Sequence, residues 1–526
     1  MDNAYANIPA EKFTLVGNTN LHDEKLKTKS RSFLADAFLR FRKNKSSVVA
    51  GIIIIFLVLF AIFAPIISPY SVYDRNTKYQ KLPPYIESIA EKNLGILDGG
   101  SKRESQNEFQ LNQLKFIGME TGHNPIIELL GTTTVTEVHR GQERVTKYYS
   151  VNVNSYFAIG IENINISYDE FKKIQAWQDE NNLQVIYPWV EISDAYADVT
   201  DEMPKDFKIK TNVWYKCSDY KDTPILDANG NPIPAYCTNQ AIAGNDTNGD
   251  PVVYTSKMRI EGDDGSYIYS KGKSGSLVCR VDFYNYYKYL NGGMAPTFIF
   301  GTDNYGGDLF CAIGMGARFS LIFAVVVSAI NLVIGAFYGA AQGYYGGWLD
   351  LILDRISDIL SGVPFIVVAT LFKLHLAQKL GPVVSFLFAF VLTGWIGMAA
   401  LTRKQFYRFK NSEYVMAART LGAKDGRLMF KHIFPNAIGT MITSCALVIP
   451  GVISSETSLS YLGIIDLSEV TGTSIGTLMS AGQSAMAAAP HAMLYPALFL
   501  SLLLISFNLF GNGLRDAFNP STRGAE

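Results

Sequence analysis

Residues 412–436 read SEYVMAARTLGAKDGRLMFKHIFPN and form a polar, basic stretch between two long hydrophobic runs. The first half has the spacing of an α-helix, and one side of that helix carries small side chains. The residues on this side are Tyr414, Ala417, Ala418 and Leu421. Because the two alanines keep this face thin, the backbone of another protein can come close, and we expect a contact surface here.

The second half of the stretch predicts a turn followed by another helix. Gly422 permits the turn because it lacks a side chain. Arg427 and Lys431 lie one helical turn apart in the next piece, and Pro435 stands where a further helix can begin. The predicted shape is therefore helix, turn, helix.

This stretch resembles the EAA loop of the membrane subunits of ATP-binding-cassette (ABC) importers. The resemblance rests on Ala417-Ala418, on Gly422 four residues later, and on 433–435 (IFP) after a ten-residue gap. In that family the loop forms a coupling helix, which docks in a groove on a cytoplasmic ATPase and carries its closing motion into the membrane helices. An ordinary amphipathic loop between membrane helices is the alternative.

We predict which residues of this stretch couple the chain to an ATPase. These are Glu413, Ala417, Ala418, Gly422 and Asp425, with Pro435 fixing the start of the fifth membrane helix. Met416 stands where the family usually has a glutamate, so a salt bridge from that position is not carried over. Glu413 and Asp425 remain as nearby acids.

Composition allows either several soluble domains or a membrane protein with soluble parts. Of the 526 residues, 48% are hydrophobic, and the net charge is only −1. Apolar residues concentrate in long runs, whereas residues 70–298 resemble a soluble protein. This distribution predicts one membrane domain interrupted by one large insertion. The near-neutral charge and the lack of a basic stripe with interleaved aromatic residues argue against a nucleic-acid role.

Residues 48–67 predict the first transmembrane helix because they run about twenty residues without a charge, enough to cross a bilayer. Residues 1–47 carry more Lys and Arg than acid, which places them in the cytoplasm. A secretory signal is the competing interpretation. Its charged leader would be unusually long, and Pro65 directly follows the small-residue candidate site at Ala61 and Ala64.

Residues 70–298 would then lie outside the cell as an inserted α+β domain. Residues 146–160 and 251–260 are rich in Tyr, Val and Thr, which favours strands, while 168–181 favours a helix. An outside location permits a disulfide. Cys217 and Cys237 are the more favoured pair because they flank a turn-rich loop, but Cys279 is also present and all three could instead be buried thiols.

Hydrophobic runs after residue 300 predict five further membrane helices. They cover about 321–341, 359–376, 383–401, 437–453 and 494–510. The loop at 402–436 is rich in Lys and Arg, whereas the loop at 462–492 has neither. The first loop is therefore predicted to be cytoplasmic and the second external, with both chain termini, including the 517–526 tail, in the cytoplasm.

The resemblance extends beyond the loop to the C-type permease subunit of oligopeptide and dipeptide importers. The matched segments lie at about 30–70 and 300–520; they include the motif Gly301, Thr302, Asp303 and Asn304, and also 313–320 (IGMGARFS), 343–347 (GYYGG), Asp350, 358–360 (DIL), 394–395 (GW), 456–463 (ETSLSYLG) and 508–516 (NLFGNGLRD). Gly307 stands where the family commonly has arginine. The large insertion is a second departure.

The resemblance implies a membrane all-α fold of the type-1 importer kind, with six helices in a bacterial cell membrane and a 300–516 core. It implies four partners: a second homologous permease, two ATPases, an extracellular peptide-binding lipoprotein and the peptide itself. ATP and Mg²⁺ would bind the ATPases, and this chain would hold no cofactor or metal and catalyse no reaction. Dipeptides or chelated nickel are alternative substrates.

A receptor or adhesin and a channel are the two alternative function classes. A receptor or adhesin needs only one helix as an anchor, and a channel would conduct without ATP. The inserted domain has two possible roles. It could dock the binding protein and hold peptide through tyrosine-rich segments such as 284–289, or it could be a structural cap or cell-wall contact whose tyrosines pack a core.

Overall fold

The computed structural model describes residues 33–92, 96–99, 102–139, 142–205, 207, 214–237, 244–245, 251–252, 267–273, 276–466 and 472–518. Most of the predicted cytoplasmic N-terminal segment, the tail after residue 518 and most of the strand predicted over 251–260 lie outside the described residues.

The chain begins with two helices, α1 (Phe33–Lys43) and α2 (Lys45–Ile67), and continues into a mixed region. Its helices are α3 (Glu87–Ala90), α4 (Glu108–Thr121), α5 (Tyr168–Asn181), α6 (Ile192–Ala195) and α7 (Phe283–Leu290). Its strands are β1 (Tyr85–Ile86), β2 (Lys102–Asn107), β3 (Ile126–His139), β4 (Gln142–Val153), β5 (Ile161–Ile166), β6 (Ile186–Tyr187), β7 (Gly244–Asn245), β8 (Pro251–Val252), β9 (Lys271–Lys273), β10 (Ser276–Asp282) and β11 (Thr297–Phe298). Helix α5 confirms the helix predicted over 168–181.

The strands of the mixed region pair antiparallel in small sheets. One sheet has the order β5-β10-β6, with β9 on β10, and another has the order β2-β4-β3. Strands β1 and β11 pair with each other and close the region at its base, since Ile86 stands opposite Thr297. An aromatic cluster that includes Tyr79, Tyr85 and Phe298 packs at the same base.

The tyrosine-rich segment 284–289 belongs to the interior. Tyr284 and Tyr287 are buried in the aromatic cluster at the base, and Tyr286 and Tyr289 pack against the neighbouring sheet core. The interpretation in which these tyrosines hold a peptide is therefore not supported, and they pack a core instead.

The remaining helices follow without another sheet among the described residues. They are α8 (Leu309–Tyr345), α9 (Gly347–Ser361), α10 (Phe365–His375), α11 (Ala377–Leu380), α12 (Pro382–Gly394), α13 (Ile396–Phe409), α14 (Glu413–Thr420), α15 (Asp425–Arg427), α16 (Phe434–Tyr461), α17 (Ile475–Ala485) and α18 (His491–Phe518). A π-helical segment, Leu428–Ile433, joins α15 to α16.

Within the described residues, five helical runs are long and apolar enough to cross a membrane. They are α2, α8, the run 382–409, the run 425–461 and α18. The third predicted span is not found as one helix, because α9 ends at Ser361 and α10 has only 11 residues. Pro364 causes the break, since it has no N–H to donate and disfavours a helical residue before it.

Helix α8 starts well before the predicted Leu321. The side chain of Asp308 accepts hydrogen bonds from the backbone N–H groups of Phe310 and Cys311 at 3.2 and 3.1 Å, which caps the helix at its first turn. Glycines and an arginine near this end lower the hydropathy, so the apolar run alone did not reveal the first turns.

Three glycines of α8, one turn apart, lie against the backbone of α13. A Cβ at Gly339 would stand 2.2 Å from the carbonyl oxygen of Ala399. One at Gly343 would stand 2.7 Å from a carbonyl oxygen of α13, and one at Gly335 would stand 2.8 Å from the carbonyl oxygen of Trp395, directly before α13. Only glycine allows this approach. In a membrane such close packing holds helices together without a hydrophobic driving force.

Asp282 is a buried acid in the mixed region, and it caps α7. Its Oδ1 accepts a hydrogen bond from the N–H of Tyr284 at 3.2 Å, while its Oδ2 is buried without a hydrogen-bond partner. Burial raises the pKa of this carboxyl from 3.8 to about 7. Since the folded pKa lies above the unfolded one, its contribution to stability is full below about pH 4 and falls as the pH rises to about 7.

We therefore expect Asp282→Asn to raise the unfolding temperature at pH 8, by the equivalent of roughly 2–4 kcal/mol, and to have little effect at pH 4. The amide keeps the oxygen that caps α7. Thermal unfolding of the solubilised chain, followed by tryptophan fluorescence at both pH values, measures this. Glu202→Gln, at an exposed position, is the matched control. Equal effects of Asp282→Asn at both pH values would contradict the assignment.

Candidate functional site: the basic loop and the outer motif

Val415 anchors the first helix of the 412–436 loop to the membrane helices. Its side chain is fully buried, in a cluster contributed by α8, α13 and the π-helical segment. The other buried members of this cluster are Ala340, Tyr344, Phe406, Leu428, Met429 and Ile433. Helix α14 is therefore fixed to the ends of two long helices and to the start of a third.

The outer face of α14 differs in one residue from the predicted contact face. Tyr414, Ala417 and Leu421 are exposed, Leu421 to 88%, as expected for a docking surface. Ala418 is half-buried and packs against the Val415 cluster. The helix turns this alanine inward because Val415, three residues earlier, lies on the same side.

Gly422 forms the predicted turn. Its φ is +83°, in the left-handed region that favours glycine, and its N–H bonds the carbonyl of Arg419 at 2.9 Å. A side chain here would meet nothing within 4 Å. The requirement for glycine is therefore conformational, and the space around the turn is open.

Asp425 ties the loop to α8. Its Oδ1 accepts a hydrogen bond of 2.6 Å from the hydroxyl of Tyr344, at the end of that helix. The second helical piece was predicted to be separate from the helix that begins near Pro435. Instead, the π-helical segment continues it into α16. Pro435 lies in the first turn of α16, the position predicted for it. Glu413 is exposed in the first turn of α14.

The motif Gly301–Asn304 lies at the opposite end of α8, where it fastens several elements together. Gly301 has a φ of +77°, and a Cβ there would stand 2.5 Å from the carbonyl oxygen of Leu82 and 2.8 Å from the ring of His491. Thr302 accepts the N–H of Leu82 on its hydroxyl at 2.8 Å. The segment after α2 is thereby held against the start of α18.

Asp303 and Asn304 complete this motif. Asp303 Oδ1 accepts the N–H groups of Tyr305 and Gly307, both at 2.8 Å, which closes a tight loop before α8. Burial raises the pKa of this carboxyl, while those N–H bonds and nearby Arg75 oppose the rise. The side-chain N–H₂ of Asn304 donates to the carbonyl of Ala481 at 2.6 Å, on α17. The predicted motif residues are therefore structural ties.

Arg318 has a role that sequence reasoning did not assign. Its guanidinium donates to the carbonyl oxygens of Ala61 and Ile62 on α2, at 3.2 and 2.7 Å. Pro65 has no N–H, so the Ala61 carbonyl lacks its normal helical partner. The sequence signal for this role was an arginine within an apolar run, together with a proline inside the first predicted membrane helix.

A polar cleft of about 490 Å³ opens beside the motif at 301–304. Charged residues Arg75, Asp303 and Asp308 line it together with hydroxyls of α16 and α17, such as Ser460 and Thr477. Among the described residues, no group of three or more His, Cys, Asp or Glu side chains is placed to hold a metal ion.

Cys217 and Cys237 are both buried in the mixed region. The backbone N–H of Cys217 bonds the carbonyl of Ala195 at 2.7 Å, and that of Cys237 bonds the carbonyl of Trp189 at 2.8 Å. Their pairing stays a prediction. Burial raises the pKa of the third thiol, Cys279, far above its usual range.

Two family patterns match separate parts of the chain. One, described as the N-terminal TM domain of oligopeptide transport permease C, matches residues 32–84. The other, described as a binding-protein-dependent transport system inner membrane component, matches residues 332–524.

Similar whole proteins are peptide-transport permeases. The oligopeptide transport system permease protein OppC of Bacillus subtilis is 40% identical over 224 residues, which covers 43% of this chain and 72% of that protein. OppC of Haemophilus influenzae is 37% identical, with 44% and 73% covered. The dipeptide transport system permease protein DppC of B. subtilis is 37% identical, with 43% and 69% covered.

We expect Gly301→Ala to destabilise the chain more than Gly122→Ala, at the end of α4. The two glycines have φ values of +77° and +75°, so both substitutions carry a strain of about 1–2 kcal/mol. Only Gly301 has neighbours that a methyl group would strike, which adds about 1–3 kcal/mol, whereas Gly122 has nothing within 4 Å. Unfolding temperatures of the two variants in detergent measure the difference. Equal losses would show that Gly301 is needed only for its backbone conformation.

Proposed function

We propose that this chain, which belongs to the family of binding-protein-dependent transport permeases of the oligopeptide permease C type, is the membrane subunit of an ABC importer for oligopeptides. It forms half of the translocation path, and a second homologous permease forms the other half. Two cytoplasmic ATPases bind and hydrolyse ATP with Mg²⁺. A peptide-binding lipoprotein delivers the peptide from outside.

The observation that supports this coupling is the exposed face of α14 on a firmly anchored loop. Tyr414 and Leu421 present apolar surface on one side, while Val415 fixes the other side to the ends of α8 and α13. A push on this face by an ATPase is therefore passed directly to the membrane helices. Closure of the two ATPases would rock the bundles between inward-open and outward-open states.

The proposed topology has six crossings. Helices α9 and α10 together supply the third crossing, broken at Pro364, which membrane bundles tolerate when neighbouring helices satisfy the freed backbone groups. Both chain termini and the loop 412–436 lie in the cytoplasm, and residues 70–298 lie outside. The mixed region then acts as a structural cap or cell-wall contact, which fits the burial of its tyrosine-rich segment.

Dipeptides are the second candidate substrate, because a dipeptide permease is among the similar proteins.

The test of the whole proposal is gentle purification from the native membrane through a C-terminal tag, in a detergent that keeps a known importer intact. We expect a second permease and two ATPases in the eluate. Recovery of the chain alone would overturn the proposal in favour of a receptor or channel.

We expect Gly422→Val to uncouple ATP hydrolysis from peptide uptake while the chain stays in the membrane. A β-branched residue resists the left-handed conformation of the turn, which would tilt the face of α14. Uptake and ATPase rates in proteoliposomes give the readout. Gly426→Val is the matched control, since Gly426 is exposed and has no positive φ. Normal uptake by Gly422→Val would remove the loop from the coupling mechanism.

Replacement of residues 87–296 by Asn-Gly should leave the membrane core assembled. Ile86 and Thr297 are directly opposed, so a two-residue hairpin turn can join β1 to β11. As a cap, the removed region does not bind the binding protein. We therefore expect the dependence of uptake on binding-protein concentration to be unchanged. A shift of that curve to higher concentration would instead establish a docking role.

A further inference from the structure

Glu456 is an acid buried inside a membrane-spanning helix. Its side chain is fully buried on α16, and its carboxylate accepts hydrogen bonds from Ser320 of α8 at 2.8 Å and from Ser460 of its own helix at 3.1 Å. Ser474, the residue that caps α17, also hydrogen-bonds it. Three helices therefore meet at one carboxylate, which is costly to bury without such partners.

The backbones around Glu456 are in direct contact. A Cβ at Gly476 of α17 would stand 2.4 Å from the carbonyl oxygen of Thr457, and one at Gly316 of α8 would stand 2.9 Å from the N–H nitrogen of Ile475. The 11-residue helix α17 also starts at this point, so the partial positive charge at its N-terminus faces the acid. Helix α17 cannot slide along α16 without breaking these contacts.

Glu456 lies between the loop at 412–436 and the motif at 301–304. Helix α16 starts at Phe434, within the last residues of the 412–436 loop, and Glu456 is in its last two turns. Beyond the acid, Ala481 and Ser484 of α17 accept hydrogen bonds from Asn304 at 2.6 and 2.9 Å. A continuous set of contacts thus runs from the loop to the outer end of the bundle.

We propose that Glu456 is a positioning residue that makes α17 follow α16, so that displacement of the cytoplasmic loop reaches the outer mouth. This inference rests on the proposed importer function for the source of the displacement. The carboxylate itself contacts neither ATP nor peptide. It holds α17 to α16 through hydrogen bonds from serine hydroxyls, and an alanine at this position would remove those bonds.

The test uses the complete importer in nanodiscs, with Met486→Cys as a reporter. Met486 is 56% exposed at the end of α17. A water-soluble maleimide labels the cysteine, once without nucleotide and once after trapping with ATP and vanadate, and the parent without the reporter supplies the background. We expect the two labelling rates to differ several-fold. With Glu456→Ala, the ratio should fall towards one while ATP hydrolysis continues.

Two further variants keep the test decisive. Ser320→Ala removes one donor and should give an intermediate ratio even if Glu456→Ala does not assemble. Thr443→Val changes a buried hydroxyl of α16 whose bond is to its own helix, at Thr440, and should keep the full ratio. An undiminished ratio in Ser320→Ala and Glu456→Ala would overturn the proposal, as would a ratio of one in the importer that carries Met486→Cys alone. Absence of peptide uptake by the importer without substitutions would instead refute the importer function.

Discussion

Close contact between helix backbones is the constraint on which the membrane part depends. Helix α8 meets α13 through Gly335, Gly339 and Gly343, and meets α2 where Gly314 lies against Pro65. Lipid is as apolar as a leucine side chain, so burial contributes little to helix association in a membrane, and dense packing takes its place. Because α8 touches α2, α13, α16 and α17, its glycines set the positions of the whole bundle.

Polar groups complete what this packing begins. Arg318 supplies the donor that Pro65 removes from α2, and Glu456 gathers hydroxyls from α8, α16 and α17. Both side chains are expensive at membrane depth, and both hydrogen-bond to neighbouring helices. The motif at 301–304 adds uncharged hydrogen bonds, from Thr302 to the segment after α2 and from Asn304 to α17.

Sequence reasoning located the turn at Gly422, the start of α16 near Pro435 and the helix over 168–181, because each has a strong local signal: a glycine, a proline or a periodic pattern. It did not reveal that Ala418 is half-buried against the Val415 cluster, and it divided a helix that continues through a π-helical segment. Those features depend on tertiary contacts with α8 and α13. The break within the predicted span 359–376 was missed because hydropathy averages over Pro364.

The short β1–β11 pair has a consequence for the chain between its two strands. The strands lie opposite each other, and the segment before β1 is fastened to Thr302. Because the pair holds the ends of the intervening chain at the spacing of neighbouring strands, the entropy of closing that chain is lost once, at this pair. A change in the length of the intervening chain therefore alters the closure entropy only slightly and does not require α2 or α8 to move.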